Sequence, residues 1–364
     1  MAVRYIGSKT RVVDKIINII GPSTDPESYF VDAFAGTGAV AAAASEVGWS
    51  VRVNDNLYCA TVLTAAQVTT SRQVPFSDLG GYEEAVRMLN TAKGLSGFIW
   101  QEYSPASTTQ GGVERRYFTE DNAQRIDGMR QQISIWVQDR KISPAEERLL
   151  IADLLVAANR VANIAGTYGC FLREFAPNAL SLVSVTARIL SSRTGSLEVC
   201  FGDVFDVPSA ENDVVYYDPP YTKRQYAAYY HILETIAVGD RPNVGGVTGL
   251  RPWQDRASVF CYKSKALCSL AKLITSTGAT RIFLSYSDEG HVQLSELLPL
   301  LELVGEVRMH TLPHIGRYRP NQQASDNRSS VQEYLVEIKK ERCGGATSIM
   351  NSEPERRTLT VVGV

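Results

Sequence analysis

The chain has 364 residues, of which 44% are hydrophobic, and this is enough to bury a full core in one large domain or two. Its formal net charge is −2, so no overall basic field indicates nucleic-acid binding, and any such surface has to be local. No apolar run approaches membrane-spanning length, the first residues lack a signal peptide's apolar core, and the six cysteines include no Cys-x-x-Cys pair, so we expect a cytoplasmic protein without structural zinc.

The first predicted elements are a short polar segment and a helix. Residues Arg4 to Lys9 read Arg-Tyr-Ile-Gly-Ser-Lys, and residues 11–20 then carry apolar side chains at helical spacing. Gly21 and Pro22 end this helix. Taken alone, Gly-Ser-Lys is typical of any loop that precedes a helix.

A glycine turn follows the first predicted strand. The run 29–32 leads into Asp32, Gly36 and Gly38, and the alanine-rich segment 39–47 is a strong helix former. Glycines at the amino end of a helix let the backbone approach a ligand closely. Two glycines do not complete the Gly-x-Gly-x-x-Gly fingerprint of dinucleotide-binding proteins.

A second predicted strand, 50–55, ends in Asp55. This acid follows the glycine turn by about 20 residues, the spacing at which a carboxylate reaches ribose hydroxyls. Alone, Asp55 is equally consistent with a helix cap. The turn and the acid together favour an adenosine-like ligand.

The pattern then changes to mainly helical periodicity. Helices are predicted over 82–92, 120–138 and 145–164, and the stretch 96–113, rich in glycine, serine and threonine, is predicted to be a loop. So long an insertion exceeds a single crossover helix, and we therefore predict a second, helical subdomain.

Two segments of this insertion are candidates for substrate contact. Arg116 lies in a basic and aromatic run that could contact a phosphate backbone, although a solvated helix start is an equal alternative. The turn-rich segment 166–173, together with Asn178, is a candidate wall facing the substrate.

The central motif is Asp213-Val-Val-Tyr-Tyr-Asp-Pro-Pro-Tyr221. Its β-favouring run predicts a buried parallel strand, which has to stop at Asp218 because prolines cannot donate to a ladder. Open α/β sheets bind ligands at this edge. The Asp218 carboxylate and the Pro219 carbonyl could accept both hydrogens of a planar amine, while Tyr221 stacks on an aromatic base.

Two acceptors drawing these hydrogens towards a tetrahedral arrangement would localise the lone pair of an arylamine for attack. A preceding strand, 197–204, carries Asp203, whose carboxylate could accept from an adenine amino group. The alternative for the central motif is an ordinary strand exit, because Asp-Pro often begins a turn.

Basic and aromatic residues follow the motif. Lys223 and Arg224 suit phosphate contact. Tyr226 and Tyr230 are equally consistent with base stacking and with a place in the core. His231 is interpreted as a structural or substrate-contacting residue rather than a catalytic base.

The rest of the chain completes the sheet. Residues 239–262, rich in glycine, proline and basic side chains, are predicted to form a mobile loop that contacts DNA, with an ordinary surface loop as the alternative. A strand, a helix and an antiparallel strand pair are predicted, in that order, at 281–285, 292–303, 304–311 and 331–338. The polar tail, 341–364, is predicted to be disordered.

The order and combination of these motifs resemble the Dam-like, alpha-group adenine-N6 DNA methyltransferases, which use S-adenosylmethionine. The matches cover residues 4–338 and include Arg4–Lys9, Asp32–Gly38 and the DPPY motif Asp218–Tyr221. Further blocks resemble the restriction-modification methylases of the FokI type, namely 116–122, 224–226, 230–234 and 285–290.

The resemblance implies a Rossmann-like, class I S-adenosylmethionine-dependent methyltransferase fold of the α/β class. We expect a mixed, mostly parallel sheet with a terminal antiparallel hairpin. The catalytic domain would comprise 1–60 and 195–340, and the helical insertion 61–194 would carry target recognition.

The resemblance also implies roles for single residues. Gly36 and Gly38 would shape the methionine pocket with Phe34, and Asp55 would take the ribose hydroxyls. Cofactor contacts are implied for Tyr5, Lys9, Asp32, Phe34, Gly36, Gly38, Asp55, Asp203, Val204 and Asp218. The catalytic turn would be Asp218, Pro219, Pro220 and Tyr221. DNA contacts are expected at Arg116, Lys223, Arg224, Tyr226, Tyr230 and His231.

The expected activity is site-specific methyl transfer to the exocyclic amine of a flipped adenine in duplex DNA, without a metal ion. The role would be restriction-modification, with a cognate endonuclease as partner, or solitary methylation. The alternatives are a cytosine-N4 DNA methyltransferase, an RNA or small-molecule methyltransferase, and a non-catalytic DNA-binding relative.

Overall fold

An eight-stranded sheet organises the protein, whose computed structural model describes residues 5–191, 195–313, 331–341 and 360–362. Its strands are β1 (Tyr29–Asp32), β2 (Ser50–Val53), β3 (Leu197–Val199), β4 (Val214–Tyr217), β5 (Arg281–Ser287), β6 (Gly305–Thr311), β7 (Glu333–Lys340) and β8 (Thr360–Val362). They lie in the order β3-β2-β1-β4-β5-β7-β6-β8. The strands from β3 to β5 are parallel, and β7 is antiparallel to both β5 and β6. The predicted mixed sheet with a terminal antiparallel hairpin is therefore confirmed.

The helices lie on both faces of this sheet and in the insertion. They are α1 (Val13–Ile20), α2 (Ala39–Glu46), α3 (Tyr58–Val68), α4 (Tyr82–Asn90), α5 (Phe98–Tyr103), α6 (Thr108–Gly111), α7 (Glu120–Gln138), α8 (Pro144–Val161), α9 (Tyr226–Tyr229), α10 (His231–Val238), α11 (Lys263–Ser276) and α12 (Leu294–Glu302). Among the described residues, no helix is both long enough and apolar enough to cross a membrane.

The two faces of the sheet carry separate apolar clusters, because successive strand residues point to opposite sides. Phe30 and Val214 pack on the face that α1 and α2 cover. Val31 and Val215 pack on the opposite face, against α11 and α12. All four residues of β4 are buried, as expected for a central parallel strand.

A third apolar cluster belongs to the helices between residues 57 and 237. It joins α3 and α10, which flank the catalytic half, to α7 and α8 of the insertion. The insertion therefore shares a continuous core with its neighbours. The predicted boundaries at 60 and 194 stay a prediction.

The predicted loop 96–113 is wrong, because this stretch contains α5, a 3-10 turn at Pro105–Ser107 and α6. The amino end of α5 is satisfied by Asp127 of α7, whose carboxylate accepts from the N–H groups of Ile99 and Trp100 at 3.0 and 2.8 Å. A cap that comes from another helix leaves no local signal in the sequence.

The segment 239–262, predicted to be mobile, is attached to the insertion at several points. The Arg115 guanidinium donates to the carbonyls of Gly246 and Val247, and the Tyr103 hydroxyl donates to the carbonyl of Gly249. Residues 314–330, 342–359 and 363–364 lie outside the described residues. The predicted disordered tail, 341–364, lies mostly outside the described residues. Within it, Thr360–Val362 form β8 beside β6, so the prediction of disorder is wrong for these three residues.

Candidate active site

An open cavity lies at the carboxyl ends of β1, β2 and β4, where the parallel strands of an α/β sheet present their loops. Most of the predicted site residues line it. They are Tyr5, Lys9, Asp32, Phe34, Gly36, Asp55, Asp203, Val204, Asp218, Pro219, Pro220, Tyr221 and Tyr226.

The glycine turn forms the floor between β1 and α2. Gly36 and Gly38 have φ angles of +54° and +82°, which side-chain-bearing residues rarely adopt. A Cβ on Gly38 would stand 2.8 Å from Cα of Thr64, so the turn also needs glycine for the close approach of α3. Gly38 therefore lies behind the cavity wall and shapes it indirectly.

Asp55 is fixed against this turn. Its Oδ2 accepts from the Gly36 N–H at 3.0 Å, and its Oδ1 accepts from the Leu57 N–H at 2.9 Å, just before α3 begins. Burial raises the pKa of Asp55 to about 6, although these backbone donors oppose the rise. Of the two roles considered for Asp55, the geometry supports the cavity-lining acid, because α3 has no side-chain cap and Leu57, not Asp55, is its N-cap residue.

Asp32 is a buried acid at the end of β1, with only 2% of its surface exposed. Burial, followed by the charges of Asp218 and Asp55, raises the pKa of its carboxyl to about 8. Its Oδ1 has no hydrogen-bond partner among the described residues. A buried acceptor without a partner is costly unless a ligand satisfies it.

Asp203 lies on the opposite wall of the cavity and is exposed. Its Oδ1 accepts from the Phe205 N–H at 3.1 Å and caps a 3-10 turn over Val204–Asp206. Phe260, which the sequence did not indicate, completes an apolar wall by packing edge-on against Phe34, with 5.4 Å between the ring centroids.

Asp218 follows the last residue of β4 and has a charged partner. The Lys9 ammonium lies 3.0 Å from its Oδ1. Burial raises the pKa of Asp218 to about 6, the Lys9 charge opposes this rise, and Glu333 adds to it. At neutral pH the carboxylate form therefore predominates, and this form is the hydrogen-bond acceptor.

Tyr221 is held at the edge of the cavity by three neighbours. Its hydroxyl donates to Glu333 Oε1 at 3.5 Å, and its ring meets Tyr286 edge-on with 5.7 Å between centroids. The Lys9 ammonium lies 5.5 Å from the ring centroid. The ring remains partly exposed.

Glu333, which the sequence analysis missed, does not line the cavity but contacts two residues that do. It is 7% exposed and lies 3.5 Å from Lys9 as well as touching Tyr221. A charged residue at the start of an apolar strand is a weak signal of a buried acid, but nothing local connects it to Lys9.

The amino-terminal segment is attached to the helices after the catalytic turn. The Tyr230 hydroxyl accepts from the Ile6 N–H at 2.7 Å, and the Tyr226 hydroxyl donates to the Ile6 carbonyl at 3.3 Å. Tyr5 stacks on Tyr230 with 4.3 Å between centroids. Tyr230 is fully buried, so the structure places it in the interior rather than on a DNA-facing surface.

His231, also predicted to contact DNA, is fully buried as well. Its Nε2 lies 3.1 Å from the Tyr168 carbonyl, which also accepts from the Tyr117 hydroxyl at 2.9 Å. Burial lowers the pKa of His231 to about 4, so the ring is neutral. Of the two roles considered for His231, the geometry supports the structural one, which joins α10 to the insertion.

The remaining predicted DNA contacts are accessible. Lys223 and Arg224 are exposed directly after the catalytic turn, and Tyr226 is half-buried on the cavity wall. Arg116 is half-buried and donates to Glu114 and to the Arg173 carbonyl. These positions leave cationic groups at the surface on both the catalytic half and the insertion.

The sequence was also compared with protein families and with known proteins. The family model described as "D12 class N6 adenine-specific DNA methyltransferase" matches residues 5–295. Type II methyltransferase M.FokI of Planomicrobium okeanokoites is 31% identical over 348 residues, which are 93% of this chain and 53% of that protein.

Two further relatives are shorter. Type II methyltransferase M.NlaIII of Neisseria lactamica is 32% identical over 307 residues, 83% of this chain and 88% of the relative. Type II methyltransferase M.CviAII of Paramecium bursaria Chlorella virus 1 is 32% identical over 336 residues, 91% of this chain and 96% of the relative. The chain thus spans about half the length of M.FokI and most of the length of these two.

Proposed function

The chain belongs to the D12 class of N6 adenine-specific DNA methyltransferases, and we propose that it transfers a methyl group from S-adenosylmethionine to the N6 amine of adenine in double-stranded DNA. The observation that carries this proposal is the position of Asp218. Asp218 directly follows the buried parallel strand β4 and precedes two prolines and Tyr221. It lines the same cavity as Gly36 of the glycine turn and Asp55.

The donor groups of the cavity fit S-adenosylmethionine. The unpartnered Oδ1 of Asp32 suits an ammonium group, whose positive charge would favour the ionised form of this carboxyl. The absence of a side chain on Gly36 leaves the turn open to a ligand. Asp55 can take ribose hydroxyls, while Phe34 and Phe260 provide an apolar wall. When bound, S-adenosylmethionine supplies an already activated methyl group on a sulfonium.

The contribution of the chain to transfer is positioning and charge. The Asp218 carboxylate and the Pro219 carbonyl are the acceptors for the two amine hydrogens, so that the nitrogen lone pair can be directed at the methyl carbon. As the new N–C bond formed and the sulfonium C–S bond broke to leave a neutral thioether, positive charge would pass to this nitrogen. The negative charge of Asp218 would stabilise that charge, and its carboxylate or water would accept the departing proton. Near-attack positioning supplies most of the rate enhancement.

The target adenine has to leave the helix to reach this cavity. Extrusion costs a few kcal/mol of stacking and pairing, which pocket contacts offset. The partly exposed Tyr221 ring at the cavity edge offers a stacking surface for the extruded base. Lys223 and Arg224 would hold the adjacent phosphates.

Target recognition is proposed for the insertion 61–194. Its surface carries Arg116, and its core connects through His231 to the helix that follows the catalytic turn. We also propose a restriction-modification role with a cognate endonuclease, because relatives such as M.FokI are named type II methyltransferases. A solitary methylase is the alternative.

The test is methyl transfer from labelled S-adenosylmethionine to unmethylated duplex DNA of mixed sequence, followed by nucleoside digestion and mass analysis. Methylated adenosine is the expected product. Methylated cytidine would reject the adenine assignment, and absence of transfer to DNA with the cofactor still bound would reject the activity.

A further inference from the structure

Glu333 contacts two residues of the proposed site at once. Its Oε2 lies 3.5 Å from the Lys9 ammonium, and its Oε1 accepts from the Tyr221 hydroxyl at 3.5 Å. Lys9 in turn lies 3.0 Å from Asp218. One buried carboxylate thus bridges the cation that pairs with Asp218 and the ring at the edge of the cavity.

The direction of β7 brings Glu333 to this place. Because β7 is antiparallel to β5, its first residue pairs with Ser287, the last residue of β5. The amino end of β7 therefore lies at the same edge of the sheet as the carboxyl ends of β1 and β4. The Leu312 N–H donates to the Glu333 carbonyl at 2.9 Å and fixes its backbone.

The charges around Asp218 come from separate elements. Lys9 precedes α1, Glu333 begins β7, and Asp32 ends β1. Lys9 and Glu333 are 4% and 7% exposed, so water screens their interaction weakly. A lysine ammonium is a point charge on a flexible stem, and two carboxylates on different elements limit by ion pairing the positions that it can take.

We propose that Glu333 is a positioning residue for methyl transfer, whose two carboxylate oxygens hold Lys9 and Tyr221 in a fixed relation to Asp218. The inference rests on the proposed function and deepens it. Glu333 touches neither the base nor the methyl group; it acts through the two residues that it bridges. Its negative charge also adjusts the proton affinity of Asp218, opposing the effect of Lys9.

A matched control lies on the same face of the same strand. Glu337 is 6% exposed and pairs with Arg281 at 3.1 Å and with His310 at 3.3 Å, and neither of these partners lines the cavity, unlike the two partners of Glu333. Glu333→Gln and Glu337→Gln each remove one buried negative charge from β7. Any effect of general destabilisation should therefore appear in both variants.

The first experiment compares kcat/KM for duplex DNA in Glu333→Ala, Glu333→Gln and Glu337→Gln. Loss of the two contacts of Glu333 should lower kcat/KM about tenfold in the alanine variant. Glu333→Gln should recover part of this loss, and Glu337→Gln should stay close to the parent protein. Equal losses in Glu333→Gln and Glu337→Gln would overturn the proposal.

A double-mutant cycle with Tyr221→Phe tests the bridge itself, because phenylalanine keeps the ring and removes the hydroxyl. If Glu333 acts partly through that hydroxyl, Glu333→Ala will cost less in the Tyr221→Phe background. Strict additivity of the two losses would reject the bridge to Tyr221.

A second readout needs neither DNA nor turnover. Carboxyl-carbon NMR of aspartate-labelled protein, with Asp218→Asn to identify the resonance, gives the pKa of Asp218 directly. Glu333→Gln should lower this pKa, whereas Glu337→Gln should not change it. An unchanged pKa in Glu333→Gln would overturn the charge coupling even in a protein that methylates DNA, and a lack of methylation by the parent protein would instead reject the proposed function.

Discussion

The ammonium of Lys9 lies 3.0 Å from Oδ1 of Asp218, although the two residues belong to different ends of the catalytic half. Burial is the largest single influence and lowers the pKa of Lys9. The negative charge of Asp218 and smaller contributions from Tyr221, Tyr216 and Glu333 together outweigh burial, so this pKa lies well above its usual range. The residue expected to contact the cofactor is therefore also the counter-ion of Asp218, the acid proposed to hold the target amine.

Removing this counter-ion should shift the pH dependence of methyl transfer. The pKa of Asp218 is about 6, so kcat/KM of the parent protein should fall as pH decreases through 6, where the carboxylate becomes protonated. Lys9→Met removes a charge that lowers this pKa, and the acidic limb should move to higher pH. Lys93→Met, at an exposed position that does not line the cavity, is the control. An unshifted limb in Lys9→Met would contradict the prediction.

Asp218→Asn should abolish methyl transfer without unfolding the protein. The amide keeps the shape of the side chain but presents an N–H group to the amine, and loss of the charge should lower kcat at least a hundredfold, roughly the effect of removing one transition-state hydrogen bond. Thermal unfolding followed by circular dichroism should stay within a few degrees of the parent protein. Retained methylation would remove Asp218 from the mechanism.

Tyr221→Ala should weaken capture of the extruded base. Stacking of a base on an aromatic ring contributes about 1–3 kcal/mol, which corresponds to a loss of roughly 5- to 150-fold on duplex DNA. Tyr221→Phe keeps the ring and should lose much less. The measurement is the rate of methyl transfer by both variants and the parent protein on the same duplex substrate. An unchanged rate in Tyr221→Ala would exclude the stacking role.

Gly38→Ala should destabilise the fold far more than Gly48→Ala. Both glycines have positive φ angles, +82° and +97°, so either substitution costs about 1–2 kcal/mol of backbone strain. Only at Gly38 would the new methyl group meet another backbone, 2.8 Å from Thr64 Cα. This overpacking adds about 1–3 kcal/mol. Urea unfolding of both variants tests the order, and equal losses would argue against the close approach of α3.

Asp32 should make the protein less stable as the pH rises. Its pKa is about 8 in the folded protein and about 4 in an unfolded chain, so the folded state holds the extra proton between these values. The resulting stabilisation is lost as pH rises through 8. Between pH 6.5 and 8.5 the free energy of unfolding should therefore fall less in Asp32→Asn than in the parent protein. Parallel curves in urea titrations would contradict the raised pKa.

The sequence predicted the sheet and the cavity because both depend on local patterns. The predicted helix 120–138 coincides with α7, and the strand before Asp218 coincides with β4. Each predicted acid follows a strand, and parallel strands bring their carboxyl ends together. Local spacing therefore indicated the acids of the cavity wall, whereas Tyr5, Lys9, Phe34 and Val204 were implied by the family resemblance.

Contacts between distant elements were not predictable in this way. Helix α3 has nine of its eleven residues buried and so shows no apolar stripe by which to recognise it. His231 is enclosed by Tyr103 of α5, by Tyr117 before α7 and by the loop after α8. Tyr230 is covered by the amino-terminal segment, through Tyr5 and Ile6. Glu333 is opposite Lys9 only because β7 runs antiparallel to β5.

The contact between Lys9 and Glu333 has a consequence for the order in which the protein can fold during synthesis. Lys9 lies near the beginning of the described chain, and Glu333 lies on a strand that is inserted between two earlier ones, β5 and β6. During synthesis, Asp218, Tyr221 and the whole insertion emerge from the ribosome before β7 is available to pair. The nascent protein can therefore complete the cavity and the helices of the insertion before Glu333 reaches Lys9, and the strand that enters between β5 and β6 supplies this contact.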